Sequence, residues 1–439
     1  MIYGKIPKLT PTYKFVEDYL SSESKFLQNR NFRKWGDYDA ILDLAKKVPK
    51  GQIMLGAHDP EFTTEAVTMP NSKQDNIIVI GVKGAGKTSL VELIFYQKFF
   101  IYHYHSFISD PKREYHITNQ AIDDPYYIDL LERYGISVNG LPIETFSPYF
   151  VGSHNAKHKY GIELRDFARI ENLGERKYYL LQFLGVDPAK NTPAKRQLER
   201  YLKDLYTIGT FKNLLKELEK PRKLYKGTGG QDVWGKDTPT LYQIIQSKMD
   251  SGEIGNGESV YFPEVMARGN IPVVQLSIMG SSDFTTSMSL KMAIRDVIEE
   301  REKTKYGSGG ILPRPVNFLL EEADRFSPKR GNPPSKQIIE LIPNKFRILD
   351  ISYLAVTQFP SLCSEELFRS ADYIFTPQLK DTGDIAALTA KGIDPFDAKE
   401  IMGKAHFQKG VYPNEWFMID PQKDWTSFYP LRSPLKILA

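Results

Sequence analysis

The chain is predicted to be an α/β protein, with a central, mostly parallel sheet flanked by helices and an inserted helical subdomain. Three observations predict this. Short apolar runs, such as Ile77–Ile80, end at glycine or carboxylates, as buried parallel strands do. Helical stretches fall between those runs. Residues 155–250 then break the alternation with helical spacing alone.

The elements follow in order. Residues 1–75 form an N-terminal segment that reads as mostly helical, with Gly51, Gly56, Pro60 and Pro70 marking turns that lead into the core. The first part of the core occupies 76–154: a strand at Ile77–Ile80, a helix at Ser89–Phe99 and a strand at His103–Ile108. In the insertion, 155–250, Leu198, Tyr201, Leu202 and Leu205 share one helical face. The glycine-rich stretches Gly227–Gly230 and Gly252–Gly257 read as loops at its far end, and Gly307–Gly310 as a loop before the strand at 316. The second part of the core and a tail fill 251–439, with strands at Val273–Met279, Phe318–Leu320, Tyr353–Val356 and Tyr373–Phe375. Its helix at 287–302 turns Leu290, Ile294, Val297 and Ile298 to one side.

Bulk composition bounds the class. The chain has 439 residues, 41% of them hydrophobic, which is ample for a large core and two or three domains. Its net charge of +4 permits a nucleic-acid partner without arguing for one. The single cysteine, Cys363, excludes an intramolecular disulfide. Met1–Tyr13 shows no apolar signal core. The most apolar stretch, Val91–Ile108, is interrupted by Glu92, Lys98, His103 and His105, so it does not read as a membrane span. The expectation is a cytoplasmic protein, held at a membrane only by a partner.

Gly81-Val-Lys-Gly-Ala-Gly-Lys-Thr88 matches the phosphate-loop pattern in full, between a strand and a helix. Gly81, Lys83, Gly84, Ala85, Gly86, Lys87, Thr88 and Ser89 are therefore the predicted nucleotide-binding residues. The glycines let backbone N–H groups face phosphates, and the helix start adds its dipole. Lys87 is expected to reach the β- and γ-phosphates of ATP, and Thr88 to ligate Mg²⁺. Val316–Leu320 is an apolar run ending in Glu321-Glu322. As a strand beside the phosphate loop, it would deliver Glu321 to the Mg²⁺ shell and Glu322 to the attacking water. The plainer alternative is a solvated acidic helix start. Ser352–Thr357 is a further buried strand, and Gln358 at its tip is placed to sense the γ-phosphate; Thr-Gln after a strand is also an ordinary loop start. Arg347 is a candidate trans arginine for a neighbouring subunit's ATP, or else an ordinary surface arginine.

Two basic stretches are candidate DNA contacts. Residues 195–226 hold ten Lys/Arg against four Asp/Glu, with Arg196 and Arg200 on the first helix. Residues 325–336 carry Lys329, Arg330 and Lys336 directly after the acidic pair. A solvated helix face and a Pro-rich surface turn are the plain alternatives. His103 and His105 alternate on one strand face, with no third ligand in view for a metal.

Taken in order, four segments resemble the FtsK/HerA superfamily of DNA-pumping ATPases over roughly 76–420. They are the phosphate loop, Phe107-Ile-Ser-Asp110-Pro111-Lys112-Arg-Glu114-Tyr115, Leu320-Glu-Glu-Ala-Asp324 and Ala355-Val-Thr-Gln-Phe-Pro-Ser361. The second is similar to the strand-end segment of FtsK and the conjugative coupling proteins. The third is similar to the Glu-Glu-Ala-His of HerA-like members. The fourth is similar to the family's Ala-Thr-Gln-Arg-Pro-Ser, with Phe359 in place of the arginine. The resemblance implies a RecA-like core, a homohexameric ring and double-stranded DNA in its channel. It puts Arg347 at the trans-arginine position and the pair Lys380-Asp381 after the sensor strand. It also implies one of conjugative transfer, DNA import, genome packaging or end processing, with docking to a membrane or capsid partner. A motor that assembles or secretes proteins without gripping DNA is the alternative; a small-molecule kinase fits the motifs poorly.

Overall fold

The computed structural model describes residues 48–59, 65–82, 84–120, 139–148, 158–170, 172–226, 238–250, 254, 260–275, 283–379, 381–404 and 415–431. Lys83, Lys380, most of the N-terminal segment, Gly227–Gly230 and the glycines of the stretch Gly252–Gly257 lie outside them.

The strands are β1 (Gln52–Ala57), β2 (Ala66–Pro70), β3 (Ile77–Ile80), β4 (His105–Ser109), β5 (Ile143–Pro148), β6 (His158–Tyr160), β7 (Ile271–Val274), β8 (Val316–Leu320), β9 (Ile351–Thr357), β10 (Tyr373–Thr376), β11 (Trp416–Ile419) and β12 (Trp425–Pro430). They form one 12-stranded sheet in the order β2-β1-β12-β11-β10-β3-β9-β8-β4-β7-β5-β6. From β10 to β6 every pairing is parallel. The edge β2-β1-β12-β11 joins β10 through antiparallel pairings only.

Both faces of the parallel part are covered, so its strands are apolar on both sides. Ile77 and Val79 enter one core together with Leu90, Val91, Ile94 and Phe95 of the helix Lys87–Phe100. Ile78 and Ile80 point the other way, into a core shared with the helix Asp283–Lys305. On that helix Leu290, Ile294, Val297 and Ile298 all face the sheet, as their spacing predicts. Its Met288 and Met292 instead join a third core, built from Leu164, Phe167, Leu180, Phe183, Leu198, Leu202, Phe211 and Leu241. The helices of 164–250 therefore pack against the flank of one core helix. Two ion pairs fasten that seam, Arg169–Asp296 at 2.9 Å and Lys291–Glu175 at 2.5 Å.

Residues 51–75, read as turns from their glycines and prolines, contain β1 and β2. The alternating Gln-Ile-Met-Leu is a strand whose ladder slips between Met54 and Gly56. At that irregularity Gln97 replaces the missing ladder bonds: Met54 N–H donates to Gln97 Oε1 (2.9 Å) and Gln97 Nε2 donates to Met54 O (2.8 Å). The contact locks the far end of the helix Lys87–Phe100 to the antiparallel edge. Gly56 is required there, because a Cβ would lie 1.9 Å from Tyr429 O. β6 adds a short strand at the start of the insertion range. His103, expected within a strand, precedes β4 in a left-handed conformation (φ 55°), and His105 is tied through Nδ1 to Met266 O at 3.1 Å.

Candidate nucleotide site

The phosphate loop sits where β3 gives way to the helix Lys87–Phe100. Gly84 and Gly86 have φ of 81° and 88°, which a side chain would strain. Gly86 is the helix N-cap and makes no side-chain cap hydrogen bond. The N–H groups of the first helical turn and the helix dipole make a ready seat for an anion. The loop is anchored from the next strand by Gly81 N–H donating to Thr357 O (3.2 Å). Gly81 itself is hemmed in by Pro377, which follows β10; an added Cβ would lie 3.1 Å from the Pro377 ring.

Lys87 is buried, and its Nζ donates to Val82 O at 3.0 Å, folded back on its own loop. Burial, and next the positive charge of Lys112, bring its pKa down to about 8. Thr88 follows on the first turn, half-buried; Ala85 and Ser89 are buried.

The acidic pair ends β8, but β8 is not the neighbour of β3. The strand beside the phosphate loop is β9, and β8 lies beyond it. This corrects the sequence expectation, which set the acidic strand directly beside the loop. The order β3-β9-β8 places Gln358, at the end of β9, between the phosphate loop and the carboxylates. All three come from C-terminal ends of parallel strands, where α/β sheets bind ligands.

Glu321 is buried, its N–H donating to Ser109 O (3.3 Å). Tyr115 Oη donates to Glu321 Oε1 at 2.6 Å. Burial pushes the Glu321 carboxyl up to about 7, against the opposing pull of Tyr115 and Lys112. Glu322 is half-buried and left-handed at φ 53°, ψ 50°, the N-cap of a short helix Ala323–Phe326. Such a conformation is uncommon for a non-glycine residue and turns consecutive carboxylates in different directions. Lys112 Nζ lies 3.6 Å from Glu322 Oε1, and Arg325 Nη1 lies 3.9 Å from Oε2. Next door, Thr357 Oγ1 donates to Asp324 Oδ1 (2.7 Å) and accepts from Phe359 N–H (3.0 Å), setting the chain direction around Gln358.

In sequence, the segment 107–115 carries a family resemblance but no assigned side-chain role. In the fold it is the fourth wall of the site. Asp110 is buried at the end of β4 and accepts from the backbone N–H of Glu114 and Tyr115, each at 3.0 Å. Burial lifts its carboxyl to about 6. This turn carries Lys112 and Tyr115 to the two glutamates. A polar Asp-Pro-Lys at the end of an apolar strand was the available signal.

The other candidates lie elsewhere. Arg347 precedes β9, at the edge of the sheet opposite the phosphate loop; the seven residues of β9 separate them by about 20 Å. It is held there by Gln74 Oε1 (Nε, 3.2 Å) and Asp372 Oδ1 (Nη2, 3.3 Å). It does not meet its own protomer's loop. Lys329 is paired with Glu365 at 2.9 Å, and Lys336 Nζ donates to Gly331 O at 3.2 Å, while Arg330 is exposed. Arg196 and Arg200 are exposed on the helix Pro193–Tyr201, within the helical unit. Among the described residues no helix is long and apolar enough to cross a membrane.

The donor set suits a hard divalent cation with phosphates: a hydroxyl on the helix start, a loop ammonium, and a buried carboxylate whose charge acts on that ammonium. No protein-family model matches the chain. No curated protein matches it in sequence. Among solved structures it is similar to VirB4 of Thermoanaerobacter pseudethanolicus, with a TM-score of 0.51 at 12% identity over 89% of this chain and 97% of that one. It is also similar to plasmid coupling protein TrwB in complex with ADP and Mg²⁺, with a TM-score of 0.52 at 13% identity over 90% of this chain and 93% of that one. At these identities the likeness is one of fold, and it bears out the predicted α/β class.

Proposed function

We propose that this chain is a Mg²⁺-dependent ATPase of the FtsK/HerA type that works as a ring motor on double-stranded DNA. The observation that carries the reading is the order β3-β9-β8, which brings Lys87, Gln358 and the Glu321–Glu322 pair to one strand-end cleft. In this reading the loop N–H groups and Lys87 bind the triphosphate. Thr88 and Glu321 hold Mg²⁺, which neutralises phosphate charge. Glu322 orients the attacking water and takes its proton, and Gln358 reports the γ-phosphate to β9. The similar fold of TrwB, solved with ADP and Mg²⁺, supports the same ligands here.

Arg347 is too far from its own loop to act there, so its role as a catalytic arginine requires a second copy. A closed ring, expected to be a hexamer, supplies that copy. Exposed Phe359 and Leu362 beside the site, and exposed Ile348 beside Arg347, give each end of the sheet an apolar contact for a neighbour. DNA contact falls to Arg330 and the exposed basic face with Arg196 and Arg200, which can track phosphates without reading bases. Docking at a membrane-embedded or capsid partner would place the ring at its point of use.

The pairing of Lys329 with Glu365 favours a second reading, a motor that works on proteins, because the loop's charge is partly spent within the chain. Turnover measured with and without duplex DNA across a salt series separates the two. The DNA motor requires stimulation that fades steeply as salt rises. Turnover indifferent to DNA, in a protein that still forms rings with ATP, would leave the protein motor.

A further inference from the structure

Besides Lys87 of the phosphate loop, a lysine from a different strand end reaches the cleft. Lys112 reaches it from β4, on a turn made rigid by the Asp110 carboxylate and its two backbone donors. Its Nζ is 3.6 Å from Glu322 Oε1. Its charge also acts on Lys87 and on Glu321, so the ammonium lies within electrostatic reach of the loop and of both carboxylates. Two ammonium groups facing each other across a cleft repel unless an anion lies between them. The ion pair meanwhile occupies the carboxylate that the proposed reaction needs. Glu322 is held by its left-handed backbone, whereas a lysine on four methylenes can swing.

We propose that Lys112 is a second phosphate-binding lysine that exchanges Glu322 for the γ-phosphate of a bound nucleoside triphosphate, freeing Glu322 to meet water only when that phosphate is present. This rests on the ATPase reading above and adds a gate to it. Without the γ-phosphate, Lys112 keeps Glu322 Oε1 paired, beside the longer Arg325 contact to Oε2 (3.9 Å), and the site idle. With it, a charge-assisted contact to phosphate replaces a longer contact to carboxylate. A diphosphate stops short of Lys112 and leaves the pair intact.

The test compares binding of ADP and of a non-hydrolysable ATP analogue, each with Mg²⁺, by calorimetry. Lys112→Gln should weaken the triphosphate analogue about tenfold and ADP by less than about twofold, with Lys112→Arg near wild type. Glu322→Gln removes the competing partner and should tighten the triphosphate analogue alone, an effect absent in the Lys112→Gln background. Equal weakening of both nucleotides by Lys112→Gln overturns the proposal. So does tightening by Glu322→Gln that persists without Lys112. If Lys112→Gln does not fold, Glu322→Gln still decides, because an unchanged preference for triphosphate refutes the exchange. Wild-type protein that binds neither nucleotide would instead remove the ATPase reading itself.

Discussion

Replacing Glu321 with glutamine should make the nucleotide-free protein more stable, increasingly so as pH rises. The carboxyl is buried, and its pKa is lifted from the ordinary 4.5 to about 7. Between those two values the folded chain binds a proton that the unfolded chain has released. Stability from this group therefore falls as pH rises through that window. The full penalty is present above pH 7 and absent below pH 4.5. At 1.36 kcal/mol per pH unit it approaches about 3 kcal/mol, a large share of the ~5–15 kcal/mol that holds a domain folded. Glutamine keeps an oxygen for Tyr115 Oη and has no charge to bury. Its amide needs an acceptor, a cost that does not vary with pH, so the comparison across pH is the decisive one. Urea or thermal unfolding with chelator and no nucleotide, at pH 5 and pH 8, should show the variant gaining on the order of 2–3 kcal/mol over wild type between the two conditions. An equal difference at both values, or a variant that loses ground at pH 8, would refute the argument that this carboxylate is stored under desolvation for a cation. Added Mg²⁺-nucleotide should stabilise the wild type far more than the variant.

The remaining predictions concern turnover. Lys87→Ala should lower nucleotide affinity and reduce turnover by about 10²-fold or more, since the buried ammonium is the loop's own countercharge; measured binding that stays intact would argue against the cleft. Glu322→Gln should retain nucleotide while turnover falls by about 10²–10⁴-fold, the range expected for a lost proton acceptor. Arg347→Ala should leave the affinity of a single protomer unchanged but depress assembled turnover by about 10³-fold. Mixing it with a Lys87→Ala variant should restore some activity through interfaces that pair one protomer's intact loop with the other's intact arginine.

The parallel core was legible because burial on both faces leaves continuous apolar runs. Ile77–Ile80 and Ser352–Val356 announce themselves without tertiary information. Strand order was not legible, because each strand's apolar pattern is satisfied by any covered neighbour. That is why β9 intrudes between β3 and β8 unannounced. β1, β2, β11 and β12 escaped notice for another reason. They are no shorter than the recognised strands, but turn formers or polar residues interrupt or adjoin their apolar residues, as Gly56 does in β1 where the backbone of Tyr429 approaches. The phosphate loop was readable in full because its chemistry depends on local spacing. Lys112 and Tyr115 were quoted without a role, because their chemistry depends on β4 lying beside β8, a contact between residues about 200 positions apart. Lys329 and Lys336 looked available in sequence and are engaged in the fold, since nearby carboxylate and carbonyl acceptors are invisible to a charge count.

The arrangement also accounts for where strain is tolerated. Glu322 is left-handed, Glu321 is buried with a raised pKa, and Lys87 is desolvated, all at one end of the sheet. Each is unfavourable alone, on the order of 1–3 kcal/mol for a buried or strained group. They persist because the elements that carry them are buried elsewhere along their length. β8 is buried throughout, and the helix after the loop is fixed at its far end by Gln97 to β1. Rigid supports holding costly groups in an open cleft are what a site needs if ligand binding is to relieve the cost. At the opposite end, Arg347, Asp372 and Gln74 are satisfied among themselves in the single protomer. An arginine so held reaches another copy's phosphates only by leaving Asp372. Ring closure and nucleotide binding would then be linked through that exchange, so a protomer kept apart from its neighbours should hold ATP without consuming it.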